Sequence, residues 1–273
     1  MPLMLGCHYV RPEDRDPRRI PLAAVMPLKE LYIPSSFDAE KNINNGNEFP
    51  GRMFCNNRLS CCLVSAIANY SLVLECIEQG FRINITDENV ETYYKYLSGG
   101  KDEGLYCEPT MNSWHNEGWD VQGGRANAAK VKGCWHKIKP IPSGSQHLNI
   151  YAFAALDAME ELAAAVYYLG GVIVCVRLTQ RDEDLFEAGE EWSLRNSPGE
   201  DYIGGHAMYV PAFNADRSTE DRTWGKRQHV TEDWLMKRKY DIRTVVDDRD
   251  NFLSNSPIDR EALKARLLEI EKL

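Results

Sequence analysis

No apolar run in this sequence approaches the roughly 20 residues that a membrane-spanning helix needs. Clustered basic residues are missing too. With 32 Lys and Arg against 41 Asp and Glu the formal net charge is −9, which excludes a phosphate-binding nucleic-acid surface. Lys237-Arg238-Lys239 reads as one solvated helix end. The opening Met1-Pro2-Leu3-Met4-Leu5-Gly6-Cys7 lacks a basic start and a useful apolar stretch, so no export signal is expected. Internal repeats and low-complexity segments are absent. The eight cysteines, at 7, 55, 61, 62, 76, 107, 134 and 175, form no zinc-type Cys-x2–4-Cys pair and no pair answered by spaced histidines. Neither a metal nor another cofactor is therefore expected, and the thiols are read as reduced, in a cytoplasm or a virion rather than outside a cell.

What is present is ordinary for a globular protein. At 273 residues, 43% hydrophobic and 27% charged, the chain is long enough to bury a large core and to form a single two-lobed body.

Residues 1–50, rich in Pro, Asp and Arg, read as an extended arm with short turns. Cys62 to about Gln79 is a strongly apolar helix. Thr86-Asp87-Glu88 caps a second helix to about Leu97, and Pro109 to Glu117 reads as a third with Gly118 past its end. The segment 123–145 is polar and basic, and Leu148–Phe153 is strand-like. Asp157 caps a helix over Ala158–Leu169, and the apolar run Val172–Leu178 is a buried strand in which Cys175 packs. Residues 180–203 are acidic and irregular. Three β-type runs follow, at about 205–213, 221–224 and 241–246, with a helix around Thr231–Lys239. The front half is helical and the back half rich in strands.

The stretch Phe54-Cys55-Asn56-Asn57-Arg58-Leu59-Ser60-Cys61-Cys62 places thiols and side-chain amides immediately before a buried helix. Far downstream stand Gly204-Gly205-His206-Ala207-Met208-Tyr209-Val210 and Thr223-Trp224-Gly225-Lys226. This layout resembles the papain-like cysteine peptidases, in which a thiol opens a central helix between a helical and a β lobe. In that family an amide six positions earlier serves the oxyanion, a late histidine comes from the β lobe, and a Trp-Gly pair follows. Asn56 stands where the family usually has Gln. The order Asp16-Pro17-Arg18, then Asn56-Asn57-Arg58-Leu59-Ser60-Cys61-Cys62, is similar to a divergent papain-like group encoded by bacteriophages. The resemblance, which runs to about residue 250, implies an α+β, two-lobed fold: an arm over 1–50, a helical lobe over about 51–145 and a β-sheet or barrel lobe over about 146–250; a C-terminal helix over 251–273 extends past it. It also implies a peptide or protein substrate.

A helix N-terminus favours a thiolate, whose unperturbed pKa is near 8.5, and an imidazole across the cleft pairs with it and protonates the leaving amine. Cys62 is accordingly the candidate nucleophile, His206 the base, and the Asn56 side chain with the Cys62 backbone N–H the oxyanion donors. Cys61 is the rival thiol, one residue before the helix. The position that carries the histidine-orienting Asn in the family holds Arg222, which has donors only. Thr223 and Asn214 remain as supporting residues, and Trp224 as packing that shields the histidine. That departure keeps open a second reading, in which the fold is a structural module, for example of a virion, with weakened chemistry. At the C-terminus, Ser256 caps and Pro257 opens a helix whose stripe of Leu263, Leu267 and Ile270 is expected to meet a protein partner.

Overall fold

A computed structural model describes residues 3–15, 19–44, 46–47, 49–79, 83–122, 145–247 and 257–271. Asp16-Pro17-Arg18, Cys134, Ser256 and the whole of 123–144 lie outside the described residues.

The helical lobe follows from local signals. After a two-residue strand β1 (Phe37–Asp38) comes α1 (Ala39–Ile43), whose Asp38 cap accepts from the Lys41 N–H. Then α2 (Cys62–Gln79) has nearly every described side chain buried, as befits a helix apolar all round and placed centrally. α3 (Asp87–Leu97) starts at a reciprocal cap: Thr86 Oγ1 accepts from the Asn89 N–H and Asn89 Oδ1 accepts from the Thr86 N–H. α4 (Cys107–Asn116) begins two residues earlier than its proline suggests, because Pro109 is tolerated in a first turn whose N–H groups have no helical partner.

The other lobe is built on antiparallel strands. β2 (Trp119–Gln122) pairs with β3 (Ser145–Leu148). Among the described residues a second sheet has seven strands. Its order is β4 (Ala152–Ala155), β9 (Lys239–Val246), β5 (Val172–Thr179), β6 (Tyr202–Phe213), β7 (Thr219–Thr223) and β8 (Lys226–Val230), with β1 pairing to the end of β6. The single strand expected over Leu148–Phe153 is thus two strands in different sheets. α5 (Met159–Leu169) is opened by the Glu161 carboxylate, which accepts from the N–H groups of Asp157 and Ala158.

Three readings of the sequence are corrected. Residues 180–203 are not wholly irregular: α6 (Gln180–Ala188) starts where Asp182 Oδ2 accepts from the Thr179 N–H and hydroxyl, with further acid in the first turn favouring the helix dipole. The basic end of α7 (Glu232–Arg238) is not all solvated. Arg238 is fully buried and donates to the Ser197 carbonyl and hydroxyl. The C-terminal helix α8 (Arg260–Glu271) is capped by Asp259, whose carboxylate accepts from the Ala262 N–H. Its Leu263, with Ile258 before it, is buried in the core of the body and the Asp259 N–H bonds to the Val25 carbonyl, so the first residue of the stripe meets the chain itself.

The fold leaves one seam that matters. The N-terminus of α2 meets the middle of β6, so the two sequence stretches singled out above face each other.

Candidate active site

On the helical side, the chain enters a tight turn through Phe54, which sits in the left-handed region at φ 51°. The turn is closed by Asn56 N–H to the Met53 carbonyl and by Arg58 and Leu59 N–H to the Cys55 carbonyl. Cys55 and Cys61 bring their sulfurs to 3.0 Å, and Cys61 also approaches Ser65 Oγ at 3.5 Å. Cys61 therefore turns away as a rival nucleophile; its bond with Cys55, then burial, push its thiol far above the ordinary range. Cys62 opens α2 and is 1% exposed. Its sulfur lies against the N–H groups of Ala207, Gly6 and Leu63, which favour the anion, but burial outweighs them and raises the thiol pKa strongly, with Cys7 adding to the rise.

On the sheet side, His206 lies in β6 next to Ala207 and is 1% exposed. Its Nε2 is 2.6 Å from Thr223 Oγ1, and its ring stacks on Trp224 with centroids 4.2 Å apart. Its other nitrogen, Nδ1, is buried with no hydrogen-bond partner among the described residues. Burial takes the imidazole pKa down to about 3, so the ring is neutral. Trp224 and Gly225, at φ 43° and 79°, form the two-residue turn between β7 and β8; a glycine suits the second position because both dihedrals are left-handed. Phe186 and Trp192 meet Trp224 edge-on, fixing the indole that covers the histidine.

The supporting residues separate. Thr223 holds His206. Asn214 does not: its amide donates to Ser218 Oγ and closes the β6–β7 hairpin. Arg222 turns to the opposite side, where it binds both oxygens of Glu40 and the Phe49 carbonyl. Asp221 is buried, and burial raises its pKa to about 8 although a hydrogen bond with Thr219 works against the rise.

The seam between the two sides is filled by the start of the chain, a contact no motif announced. Asn56 Nδ2 donates to the Met4 carbonyl at 3.1 Å and to the Leu59 carbonyl at 3.2 Å, and Trp224 Nε1 reaches the same Met4 oxygen at 3.4 Å. The N–H groups of Gly6 and Cys7 both donate to the Gly205 carbonyl at 3.0 Å. On the helical side, Leu105 N–H donates to the Gly6 carbonyl at 2.8 Å and His8 N–H to the Leu105 carbonyl at 2.9 Å. Tyr240 Oη donates to the Cys7 carbonyl. The fit depends on missing side chains: a Cβ on Gly6 would stand 2.0 Å from the Ser60 carbonyl oxygen, and one on Gly205 1.8 Å from the Cys7 carbonyl oxygen. Those glycines were the only sequence signal of this close approach. Cys62 as an anion, expected from the sequence, is not the state seen. Residues 4–8 cover the sulfur, and with water excluded both thiol and imidazole are held neutral.

No family model and no curated protein matches the sequence. Solved structures do match in shape. Xylellain, a cysteine protease from Xylella fastidiosa, aligns with a TM-score of 0.60 at 13% identity over 91% of this chain and 99% of its own. ProCathepsin B S9 from Trypanosoma congolense aligns at 0.61 and 12% identity over 89% and 86%. Digestive procathepsin L 3 from the Tenebrio molitor larval midgut aligns at 0.56 and 11% identity over 84% and 73%. A mixed fold of helices and an antiparallel sheet is what this chain shares with these papain-like cysteine proteases.

Proposed function

We propose that the chain is a papain-like thiol hydrolase that cleaves a peptide or amide bond through Cys62 and His206, held latent by its own N-terminal residues. One observation carries the reading: a side-chain amide and an indole N–H converge on a single peptide carbonyl, that of Met4, and two residues further on the Gly6 N–H lies against the Cys62 sulfur. Donors aimed at a carbonyl oxygen next to a nucleophile are what acyl transfer requires.

With residues 4–8 displaced, the seam fills with water, and the burial that keeps the thiol and imidazole neutral is relieved. The Cys62 proton then passes to the partnerless His206 Nδ1, while Thr223 Oγ1 holds Nε2 and so the ring's orientation. The thiolate attacks the substrate carbonyl carbon, and the Asn56 amide with the Cys62 backbone N–H stabilises the resulting oxyanion. His206 returns the proton to the leaving amine, and water hydrolyses the thioester. Thr223 replaces an amide orienter with a hydroxyl, which gives a slower dyad. The phage-type grouping rests on sequence order alone, that of Asp16-Pro17-Arg18 followed by Asn56 to Cys62.

Complete burial of both groups also favours the second reading, a fold kept as a structural module, for example in a virion. Iodoacetamide separates the two. In a Gly6→Ala chain, where the arm no longer fits, a nucleophile labels quickly near neutral pH and Cys62→Ala abolishes hydrolysis of a peptide mixture. Slow labelling of Cys62 in that chain, or hydrolysis that survives the alanine, overturns the enzyme.

A further inference from the structure

We propose that Cys7 and Cys175 form a disulfide that locks the N-terminal residues into the seam. The thiols come from places 168 residues apart, yet Cys7 Sγ donates to Cys175 Sγ at 3.3 Å. Cys175 lies in β5 directly across the sheet from Ala207, the residue after His206. Cys7 cannot drift from it while docked, because its N–H is tied to the Gly205 carbonyl and its own carbonyl to Tyr240. Bond formation needs the sulfurs to close from 3.3 Å to about 2.05 Å, a shift within reach of side-chain rotation. Among the described residues no group of His, Cys, Asp or Glu is placed to hold a metal, so these sulfurs are arranged for each other.

A third thiol adjoins the pair. Cys107, at the start of α4, is hydrogen-bonded with Cys175. The remaining close pair, Cys55 and Cys61, is different in kind: six residues apart in one turn, its oxidation would tie nothing across the seam.

The oxidant is a low-molecular-weight disulfide such as glutathione disulfide. Cys7, presented to solvent when the N-terminal residues swing out, loses its proton and attacks one glutathione sulfur, releasing the first glutathione thiolate. On docking, Cys175 gives up its proton and attacks the Cys7 sulfur of the mixed disulfide, releasing the second. Two protein thiols and one glutathione disulfide become one protein disulfide and two glutathione molecules. Reduction reverses each step. The bond itself is independent of what Cys62 does; its consequence for activity rests on the reading of Cys62 as the nucleophile.

The test uses the full chain equilibrated in glutathione disulfide or in reduced glutathione. Peptide mapping without reductant is expected to show a Cys7–Cys175 linked peptide only in the oxidised sample. Iodoacetamide labelling of Cys62 is expected to be at least tenfold slower there, and reductant restores it. Cys7→Ser removes both the link and the difference between the buffers, whereas Cys107→Ser keeps them. Glutathione left on Cys7 with no link, or a Cys107–Cys175 link in its place, overturns the proposal. A Cys7–Cys175 link that leaves the Cys62 labelling rate unchanged overturns the lock, whereas slow Cys62 labelling in both buffers and in Gly6→Ala bears on the hydrolase reading instead.

Discussion

Two of the contacts that the first fifty residues make with the body work by opposite means. Near residue 40 the contact is ionic and buried. Arg222 holds Glu40 in a paired geometry at side-chain exposures of 5% and 2%, and Arg227 binds Asp38 and Glu40 together. β1 adds a strand beside β6. At residues 4–8 the contact is almost wholly main chain, lies in the seam between the lobes, and uses groups that face an opening once the chain leaves: the Asn56 amide, the Gly205 carbonyl and the Leu105 peptide. Desolvated charges cannot be separated without leaving one unpaired in the interior, so the first contact is part of the fold. Main-chain hydrogen bonds exchange readily with water, each with a net worth of only about 1 kcal/mol, so the second contact is the easier of the two to break, as the proposed latency requires.

This contrast is open to attack by mutation. Arg222→Ala strikes the ionic contact and is expected to cost about 3–5 kcal/mol of stability, towards the lower figure because Arg227 still reaches Glu40; denaturant unfolding measures it, and a loss below 1 kcal/mol would erase the distinction. Asn56→Ala removes the donor that holds the Met4 carbonyl and that, in the proposed hydrolase, would hold the substrate oxyanion. In an uncovered chain it should lower kcat by on the order of 10²–10³ with little effect on KM. Gly6→Ala strikes the cover, because overpacking typically costs about 1–3 kcal/mol. Iodoacetamide labelling of Cys62 should rise about tenfold or more while the unfolding midpoint hardly moves; a matching fall in global stability would show that the two contacts are one. Thr223→Val is the smallest, leaving His206 Nε2 without its hydroxyl partner at a cost of about 1 kcal/mol in kcat/KM. No change there would mean that Trp224 alone orients the ring.

How far the sequence could be read depended on the range of the interaction. α2 and α3 stand where apolar content and the Thr86 cap put them, since those signals act within a few residues. β8 escaped notice because Lys226–Val230 is polar, and its burial alternates only because β7 lies alongside. α6 escaped because acidic residues were taken for solvated loop, when Thr179 and Asp182 were the reciprocal cap of a helix. At the candidate site, Asn56 lies in the seam bonded to the Met4 carbonyl, and His206 lies in β6, where the Gly-Gly-His-Ala stretch reads as a strand. The fate of Arg222 was not legible: its partner Glu40 is 182 residues away, and nothing near Arg222 names it. Thr223 took the histidine instead because successive strand residues point to opposite faces.

The sequence by itself determined the elements, the sulfur at a helix start and the glycines at Gly6 and Gly205, because propensity, capping and close backbone approach are written residue by residue. Only the tertiary structure decided that the seam is closed, that Cys62 and His206 are both neutral within it, and that Cys7 meets Cys175. Those outcomes depend on which distant segments exclude water from which side chain, and the burial of a group is a property of its neighbours in space rather than of its neighbours in the chain.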